Sequence, residues 1–451
     1  MDTQYKQLIP ALFFREGKAV RSLTDHSVIP EDPASTASEY DNGFTDAIMI
    51  FDLSGTDQEQ EAHNDLIRQI CRSTRVPVMA AGRIRRMEDV KKILYAGCSM
   101  AFLNLSKKEN AELAAEVADK FGKDRIGAAF VTEEELTGNA DLIKGNVSCL
   151  LYVGAQPFSG LSAGAKEALG CTEDENDIPV IAMIGEEMCV REALTPEGIR
   201  GVTGPGVNKR IGKLQFVRNK LVSSGIPVRV RKASHSWDEF KLGPDGLLPV
   251  VVQEASTDQV LMVAYMNEEA YNMTVATGRM TYWSRSRKEI WVKGLTSGHF
   301  QFVRSLTADC DMDTLLAKVD QIGAACHTGS HSCFFNEVQK EEGKEIFNPR
   351  TVLLNDYTTI ADRREHPKKG SYTNYLFDKG LDKMLKKLGE ESTEIIIAAK
   401  NPNPNEIVYE ISDYLYHLMV VMVQKGITWD DVTEELARRQ KKEAEKEENN
   451  S

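Results

Sequence analysis

Ala47-Ile48-Met49-Ile50-Phe51-Asp52 is an apolar run closed by an acid, and with the segments after it this run decides the fold of the first half of the chain. Residues 61–73 carry apolar positions at helical spacing. Val76-Pro77-Val78-Met79-Ala80 is a second apolar run, residues 87–96 read as another helix, and residues 100–105 as a third strand. Strands that alternate with helices run parallel, because the helical crossover returns the chain to the same end of the sheet. The rhythm predicts an α/β domain over residues 1–230, with the Gly/Ser-rich residues 159–170 as a loop.

Further along, the basic and polar residues 229–236 suit a linker. From Leu248 the pattern changes to short β-type runs at 248–253, 260–265, 280–284 and 290–293, punctuated by Gly278, Gly294 and Gly298. This predicts a β-rich α+β domain over residues 236–340. Residues 340–348 are charged and turn-like, a second linker. Beyond them an all-α helical bundle is expected over residues 350–440, with helices at 351–364, 372–400, 406–425 and 429–446. Pro402 and Pro404 separate the second helix from the third, and Gly426 stands where a helix terminates. The Glu/Lys-rich tail from Lys441 reads as a solvated, frayed end.

Length and composition fit a soluble chain of about three domains. There are 451 residues, 41% hydrophobic and 27% charged. The formal net charge of -13 argues against a general nucleic-acid binder, since such binding relies on Lys and Arg displacing counter-ions from phosphate. An anionic small molecule is compatible with it, because a local basic patch or a bound cation outweighs net charge at short range. Met1-Asp2-Thr3-Gln4-Tyr5-Lys6 begins no signal peptide, and no apolar run approaches the roughly 20 residues that span a bilayer. A cytoplasmic protein with no membrane partner is expected. In a reducing compartment the eight cysteines are free thiols or metal ligands. Cys71, Cys98, Cys149, Cys171 and Cys189 are scattered and read as buried, inert thiols. Cys310, Cys326 and Cys333 are clustered beside His and Asp.

Asp309-Cys310-Asp311-Met312-Asp313 places three carboxylates at alternate positions, on one face of an extended segment or converging in a tight loop. Like charges so close repel unless a cation neutralises them, and an all-oxygen set suits Mg²⁺. The alternative is an acidic surface turn. Cys326-His327-Thr328-Gly329-Ser330-His331-Ser332-Cys333 adds two thiols to Cys310. Three thiolates select Zn²⁺ and leave a fourth position open, as catalytic zinc requires. A structural zinc with His327 or His331 as fourth ligand, or no metal, are the other readings of the spacing.

Together with Asp245-Gly246-Leu247-Leu248-Pro249-Val250-Val251-Val252-Gln253, Ala264-Tyr265-Met266-Asn267, Tyr282-Trp283-Ser284-Arg285-Ser286-Arg287 and Gly298-His299, these motifs resemble phosphoribosyl-AMP cyclohydrolase across residues 236–338. The resemblance implies hydrolytic opening of the adenine ring, by attack of water at C6. It implies zinc on Cys310, Cys326 and Cys333, with the cysteines drawn from two subunits of a homodimer, and Mg²⁺ on Asp309, Asp311 and Asp313. His327 is the leading acid/base candidate and His299 the second, because imidazole exchanges protons near neutral pH. Arg285 and Arg287 are candidates to clamp the substrate phosphate, against the alternative of a solvated strand edge.

Glu391-Ser392-Thr393-Glu394 and Glu410-Ile411-Ser412-Asp413 are acidic i, i+3 pairs on successive helices. The same helices carry apolar stripes, including Leu388 and Ile395 on one and Leu415 and Leu418 on the other. Acids facing such a stripe are costly unless they share a cation, and the alternative is two solvated faces. With Arg363-Arg364, Gly370-Ser371-Tyr372-Thr373, Leu376-Phe377-Asp378-Lys379-Gly380 and Lys386-Lys387-Leu388-Gly389-Glu390-Glu391, the segment 351–439 resembles phosphoribosyl-ATP pyrophosphohydrolase. The resemblance implies release of pyrophosphate from phosphoribosyl-ATP. Glu391, Glu394, Glu410 and Asp413 are implied as Mg²⁺ ligands, with Glu390 as a further ligand or the residue that positions water. Lys379, Lys386 and Lys387 are candidate phosphate contacts. The two resemblances make consecutive steps of histidine biosynthesis, acting on phosphoribosyl nucleotides.

Leu8-Ile9-Pro10-Ala11-Leu12, Gly17-Lys18-Ala19-Val20, Phe51-Asp52-Leu53-Ser54 and Val76-Pro77-Val78-Met79-Ala80-Ala81-Gly82-Arg83-Ile84 resemble the (β/α)8 barrels of the same pathway, so residues 1–230 are expected to be TIM-barrel-like. Here Phe13 and Phe14 stand where the family has its first acid, and Ala128-Ala129-Phe130 where it has its second. Asn104-Leu105 replaces a Gly-Thr of the phosphate loops. A barrel without these groups lacks its chemistry at the strand ends where such sites are built. Asp52 is a remnant of a site or a strand-end cap. A different class of function is an assembly module, its barrel docking another histidine-pathway enzyme with only one metal domain active.

Overall fold

Both faces of the first strands are apolar, which tells how they sit. Ile9, Ala11, Phe13, Met49, Phe51, Met79 and Ala81 form one buried cluster, and the alternate residues Leu8, Leu12, Phe14, Ile48, Ile50, Val78 and Ala80 belong to another. Side chains of a strand alternate between faces, so a strand apolar on both is covered on both. The computed structural model, which describes residues 5–171, 178–339 and 349–449, places these strands in a parallel sheet with helices against its outer face.

The strands are β1 Gln7–Ile9, β2 Ala11–Arg15, β3 Lys18–Val20, β4 Ile48–Asp52, β5 Val78–Gly82, β6 Met100–Asn104, β7 Ile126–Phe130, β8 Cys149–Tyr152, β9 Val180–Met183 and β10 Ile199–Thr203. Their order is β1-β10-β9-β8-β7-β6-β5-β4-β2-β3, parallel except for the β2–β3 hairpin. The two ends of the parallel run, β1 and β2, are one stretch of chain broken only at Pro10, so the sheet curls back on itself. Proline has no N–H for the ladder. The Pro10 carbonyl accepts from Met49 N–H at 2.9 Å, and the Asn208 side-chain amide bridges Ala11 N–H and C=O at 2.8 Å each. Residues 163–169, expected as loop, are a short helix with Ser162 as N-cap and Gly170 in the left-handed conformation that ends it.

In the central region β11 Leu248–Glu254, β12 Val260–Met266, β15 Gln301–Ala308 and β16 Leu315–Gln321 form a sheet ordered β12-β11-β16-β15. β13 Thr281–Ser284 and β14 Glu289–Val292 make a separate hairpin. The alternation along β11 buries Leu248, Val250 and Val252 against Leu315, Ala317 and Val319 and the Glu268–Thr277 helix. β15 and β16 are long but carry Arg304, Ser305, Lys318 and Asp320, and so lack an unbroken apolar run to announce them.

The chain divides into two compact units, Met1–Glu254 with Val260–Cys333, and Ala255–Gln259 with Phe334–Ser451. The first two of the three expected domains therefore share a unit. Inside it, Arg75 and Arg304 both pair with Asp320, Arg75 at 2.6 Å, and Arg304 also donates to Asn42 at 2.9 Å. The second linker, residues 340–348, lies outside the described residues. The carboxy-terminal region is helical: Pro349–Glu365, Tyr372–Lys379, Leu381–Ala398, Pro404–Lys425 and Trp429–Asn449. The single helix expected over 372–400 is two, parted at Gly380, whose φ of 79° and extended ψ a side chain resists. Pro402 and Pro404 stand between the helices as expected, and Pro404 opens the second of them: Asn403 caps it, and proline at the first turn forfeits no bond. The tail expected to fray continues the last helix to Asn449. No helix among the described residues is long and apolar enough to cross a membrane.

Arg218 is fully buried beneath the curled sheet. It donates to Asp46 at 2.6 Å and to the Phe44 and Arg229 carbonyls at 2.9 and 3.0 Å, while Asp46 also accepts the Leu8 N–H at 2.7 Å. Removing one partner of such a pair strands the other charge, so Asp46→Ala should destabilise the amino-terminal unit by about 3–5 kcal/mol. Urea unfolding followed by circular dichroism checks this; a loss of well under a kcal/mol would refute it.

Candidate active sites

The β15–β16 connection positions the aspartate triplet. It is a tight turn in which Met312 takes a positive φ of 65° and Asp309 accepts the N–H groups of Asp313 and Thr314 at 3.0 and 3.2 Å. The turn brings ligand oxygens of Asp309, Asp311 and Asp313 within 4.8 Å of one another, all three exposed. Of the two geometries open to the sequence, convergence in a loop is the one adopted. Cys310 is exposed in the same turn.

Cys326 and Cys333 lie on the loop after β16, near enough for each to perturb the other's thiol. Thr328 donates its hydroxyl to Cys326 Sγ at 3.1 Å, and this contact, with the Thr328 N–H, holds the Cys326 thiol below its usual range. Burial, then Cys326, raises Cys333. Among the described residues the three thiols do not close into a metal-sized group within one chain. His327 is exposed with Nδ1 3.9 Å from Cys326 Sγ. The His299 ring packs on Gly323, three residues before Cys326, where a Cβ would come within 2.7 Å of it. Arg285 and Arg287 sit in the exposed β13–β14 turn, Arg285 3.7 Å above the Tyr265 ring and Arg287 paired with Glu289 at 3.1 Å.

Two groups near the thiols escape a reading by motif. Lys293 is buried and donates to the Ala325 carbonyl at 2.5 Å. Burial lowers its pKa, and Cys333 and Cys326 oppose that fall, so its charge faces the thiols. Glu254, buried at the end of β11, stands 3.6 Å from His331. A lysine inside Trp291-Val292-Lys293-Gly294, a segment otherwise apolar, was the available signal for the first. For Glu254 the alternation of β11 was the signal, since it places an acid on the inward face.

In the helical region the link between Ala398 and Pro404 is short, so the helices on either side run antiparallel and set Glu391 and Glu394 level with Glu410. Oxygens of these three lie within 4.8 Å of one another, with Asp413 close enough to perturb both Glu391 and Glu410. Glu391 is buried. Desolvation, then the neighbouring Glu394, raises its carboxyl above the ordinary glutamate value, and the same two causes raise Glu410. Lys387 reaches Glu391 at 3.6 Å and Glu390 at 3.0 Å. Glu390 is otherwise held by Lys386 at 3.5 Å and faces these lysines, while Lys379 is exposed against Tyr375. His417 was not foreseen. It is buried with Nε2 3.4 Å from Glu391, its ring edge-on to Tyr372 and Tyr416, and its Nδ1 without a partner. Its position four residues after Asp413 puts it on the acidic face, the signal by which helical spacing could have found it.

The barrel mouth offers less. Phe13 and Phe51 stack at 5.0 Å inside the sheet, where Phe102, Met49 and Met79 are also buried. Asp52 is spent within the fold: it takes Nδ1 of the fully buried His63 at 2.5 Å, and the N–H and hydroxyl of Ser54. His63 Nε2 accepts from Gly17 N–H at 3.0 Å, which puts the ring proton on Nδ1, towards Asp52. Gly82 packs so close that a Cβ would stand 2.3 Å from the Asp52 carbonyl.

Comparison with known proteins finds three family matches along the chain. The phosphoribosyl-AMP cyclohydrolase family matches residues 262–335, the phosphoribosyl-ATP pyrophosphohydrolase family residues 356–440, and a histidine biosynthesis protein family residues 7–140. The histidine biosynthesis bifunctional protein HisIE of Thermoanaerobacter pseudethanolicus is 51% identical over 209 residues, 44% of this chain and 97% of that protein. Its counterparts from Lactococcus lactis and Bacillus subtilis are 48% and 44% identical, over 92% and 95% of their lengths and 45% of this chain in both cases. With nearly the whole of such relatives contained in it, the chain belongs to the family of bifunctional HisIE proteins, enzymes of histidine biosynthesis with a phosphoribosyl-AMP cyclohydrolase and a phosphoribosyl-ATP pyrophosphohydrolase domain.

Proposed function

We propose that the helical region hydrolyses phosphoribosyl-ATP to phosphoribosyl-AMP and pyrophosphate, and that the central domain then opens the adenine ring of the product. The observation that carries the first half is the crowding of Glu391, Glu394 and Glu410 with raised carboxyls on Glu391 and Glu410. Acids forced together on a partly buried face call for a cation, and an oxygen-only set fits Mg²⁺. Asp413 completes the set, and Lys387 at its edge is placed for a phosphate. Glu390, gripped by Lys386 and Lys387, orders those lysines and is within their reach for positioning water. His417 holds Glu391 from the buried side.

In the central domain Cys326 and Cys333 fit zinc by donor type, with Cys310 supplied by the second subunit of a homodimer, since one chain does not gather all three. The aspartate turn fits Mg²⁺. When bound, zinc supplies Lewis-acid activation of water, and Mg²⁺ neutralises phosphate charge. His327 exchanges the proton of the attacking water, with His299 as the second candidate for that role. Arg285 and Arg287 engage phosphate. The barrel serves as a scaffold without catalysis of its own, a reading supported by Phe14 and Phe130 at strand ends and by the engagement of Asp52 with His63 and Ser54. The docking of another enzyme on it gains no support from these features.

Cys326→Ser should stall turnover at phosphoribosyl-AMP, while Glu394→Gln should abolish pyrophosphate release and leave ring opening intact. Both are read by following each substrate with Mg²⁺ and Zn²⁺ present; a folded variant that lost both activities would refute independent sites. Each should cost at least about 100-fold in its own step, as expected for loss of a group that organises the transition state.

A pH dependence arises from the raised carboxyls. Without metal, the folded helical region holds protons on Glu391 and Glu410 more tightly than the unfolded chain does. Their contribution is complete below the ordinary value of 4.5 and is lost as pH rises. Thermal unfolding in chelator should therefore show this region weakening as pH rises above that value, with Mg²⁺ reversing the loss and Glu394→Gln diminishing both effects. A Mg²⁺ effect independent of pH would contradict it.

A further inference from the structure

The linker and the central domain enclose a cavity of about 430 Å³ that none of the metal-binding clusters touches. Its wall includes Arg231, Lys232, His235, Arg304, Tyr271 and Phe44, and no carboxylate. In a chain with 68 acidic residues against 55 Lys and Arg, an acid-free wall bearing several cations is a departure from the surroundings. Arg304 is neutralised by Asp320, and His235 faces Glu239 at 2.9 Å. Arg231 and Lys232 have no ion-pair partner among the described residues.

Arg231 is the telling group. Its guanidinium lies 4.4 Å from the Phe44 ring, one nitrogen donates to the Thr277 carbonyl at 2.6 Å, and the neighbouring Gly278, having no Cβ, leaves room for it. Burial, then Arg218, pulls its pKa down to about 10. A desolvated cation without a counter-charge is costly, and an anion entering the cavity would relieve the cost. The volume falls in the range of small-molecule sites, which pair apolar and aromatic walls with a few polar groups. Phe240 and Tyr271 supply such a wall, their rings 5.3 Å apart.

We propose that this cavity binds a small molecule that carries a phosphate group and an aromatic ring, the phosphate on Arg231 and Lys232 and the ring against Tyr271 and Phe240. The site is separate from the two catalytic ones. Ala308 and Leu315, which bracket the aspartate turn, also line it, so a ligand there abuts the strand ends from which that turn springs.

Hydrogen–deuterium exchange on the full chain, with AMP and inorganic phosphate as probes, tests the assignment. AMP should protect residues 230–235 and 271–278, and phosphate alone should protect the first segment at higher concentration. Lys232→Glu, an exposed position, should weaken the AMP effect about tenfold or more, the worth of one charge-assisted contact. Arg231→Met should abolish it. Protection at residues 326–333 or 372–417 reports the catalytic sites and does not count. Absence of protection at 230–235 with both probes at millimolar concentration overturns the proposal. So does protection undiminished in Lys232→Glu, which decides the matter if Arg231→Met fails to fold.

Discussion

The antiparallel ladder between β15 and β16 fixes where the central domain places its aspartate turn and its cysteine loop. Its register runs from Ala308 opposite Leu315 to Gln301 opposite Gln321. At one end the chain must reverse within Asp309–Thr314, and that reversal makes three aspartates converge. At the other end β16 delivers the chain into the loop of Cys326 and Cys333. Between the ends, Arg304 and Asp320 face outward and meet Arg75 and Asn42 of the first domain. A slip of one residue would turn every side chain to the opposite face and undo all three arrangements at once.

The same constraint explains why charge, rather than shape, marks the two sites. A turn that gathers carboxylates, and two antiparallel helices that do the same, raise the energy of the metal-free protein. Coulombic repulsion at a few ångströms is worth kcal/mol even at the intermediate dielectric of a protein surface. Natural sequences keep such local conflicts where function requires them. Glu391 shows the cost most plainly: it is buried beside Glu394, and the fold answers with Lys387 on one side and His417 on the other. Helical spacing shows Lys387 one turn before Glu391 and His417 one turn after Asp413, but the meeting of His417 with Glu391 joins two helices and exists only once they pack.

Legibility in the sequence followed the physics of each element. Strands apolar on both faces and helices with clear caps were readable: β4, β5 and β6 fall where the apolar runs predicted them. β15 and β16 were not, because half-exposed strands bearing Arg304 and Asp320 lack the periodic contrast on which such reading depends. The break at Gly380 was hidden inside a continuous helical pattern, since only the backbone conformation there distinguishes a kink from a tolerated glycine. Of the candidate site residues, those on one turn or one helix face came together as their spacing required. Those whose surroundings depend on tertiary packing, such as His299 against Gly323, could not be placed by spacing.

The amino-terminal barrel is where local rules and function part. Its strand ends carry phenylalanine and alanine where a catalytic barrel needs acids, yet nothing in its construction is loose. Phe13, Phe51 and Phe102 pack the interior, and Asp52 is bound to His63 and Ser54. An acid kept after its chemistry has gone would be a buried charge without a purpose, and such charges are costly unless paired. Here the pairing makes Asp52 structural. The barrel is retained on different terms: through Arg75 and Asn42 it braces the outward face of the β15–β16 ladder, and through Phe44 it closes one wall of a cationic cavity. Arg75, Asn42 and Phe44 lie apart from the strand ends' buried core, so these contacts with the neighbouring domain ask nothing of Asp52 or of the phenylalanines packed inside the sheet.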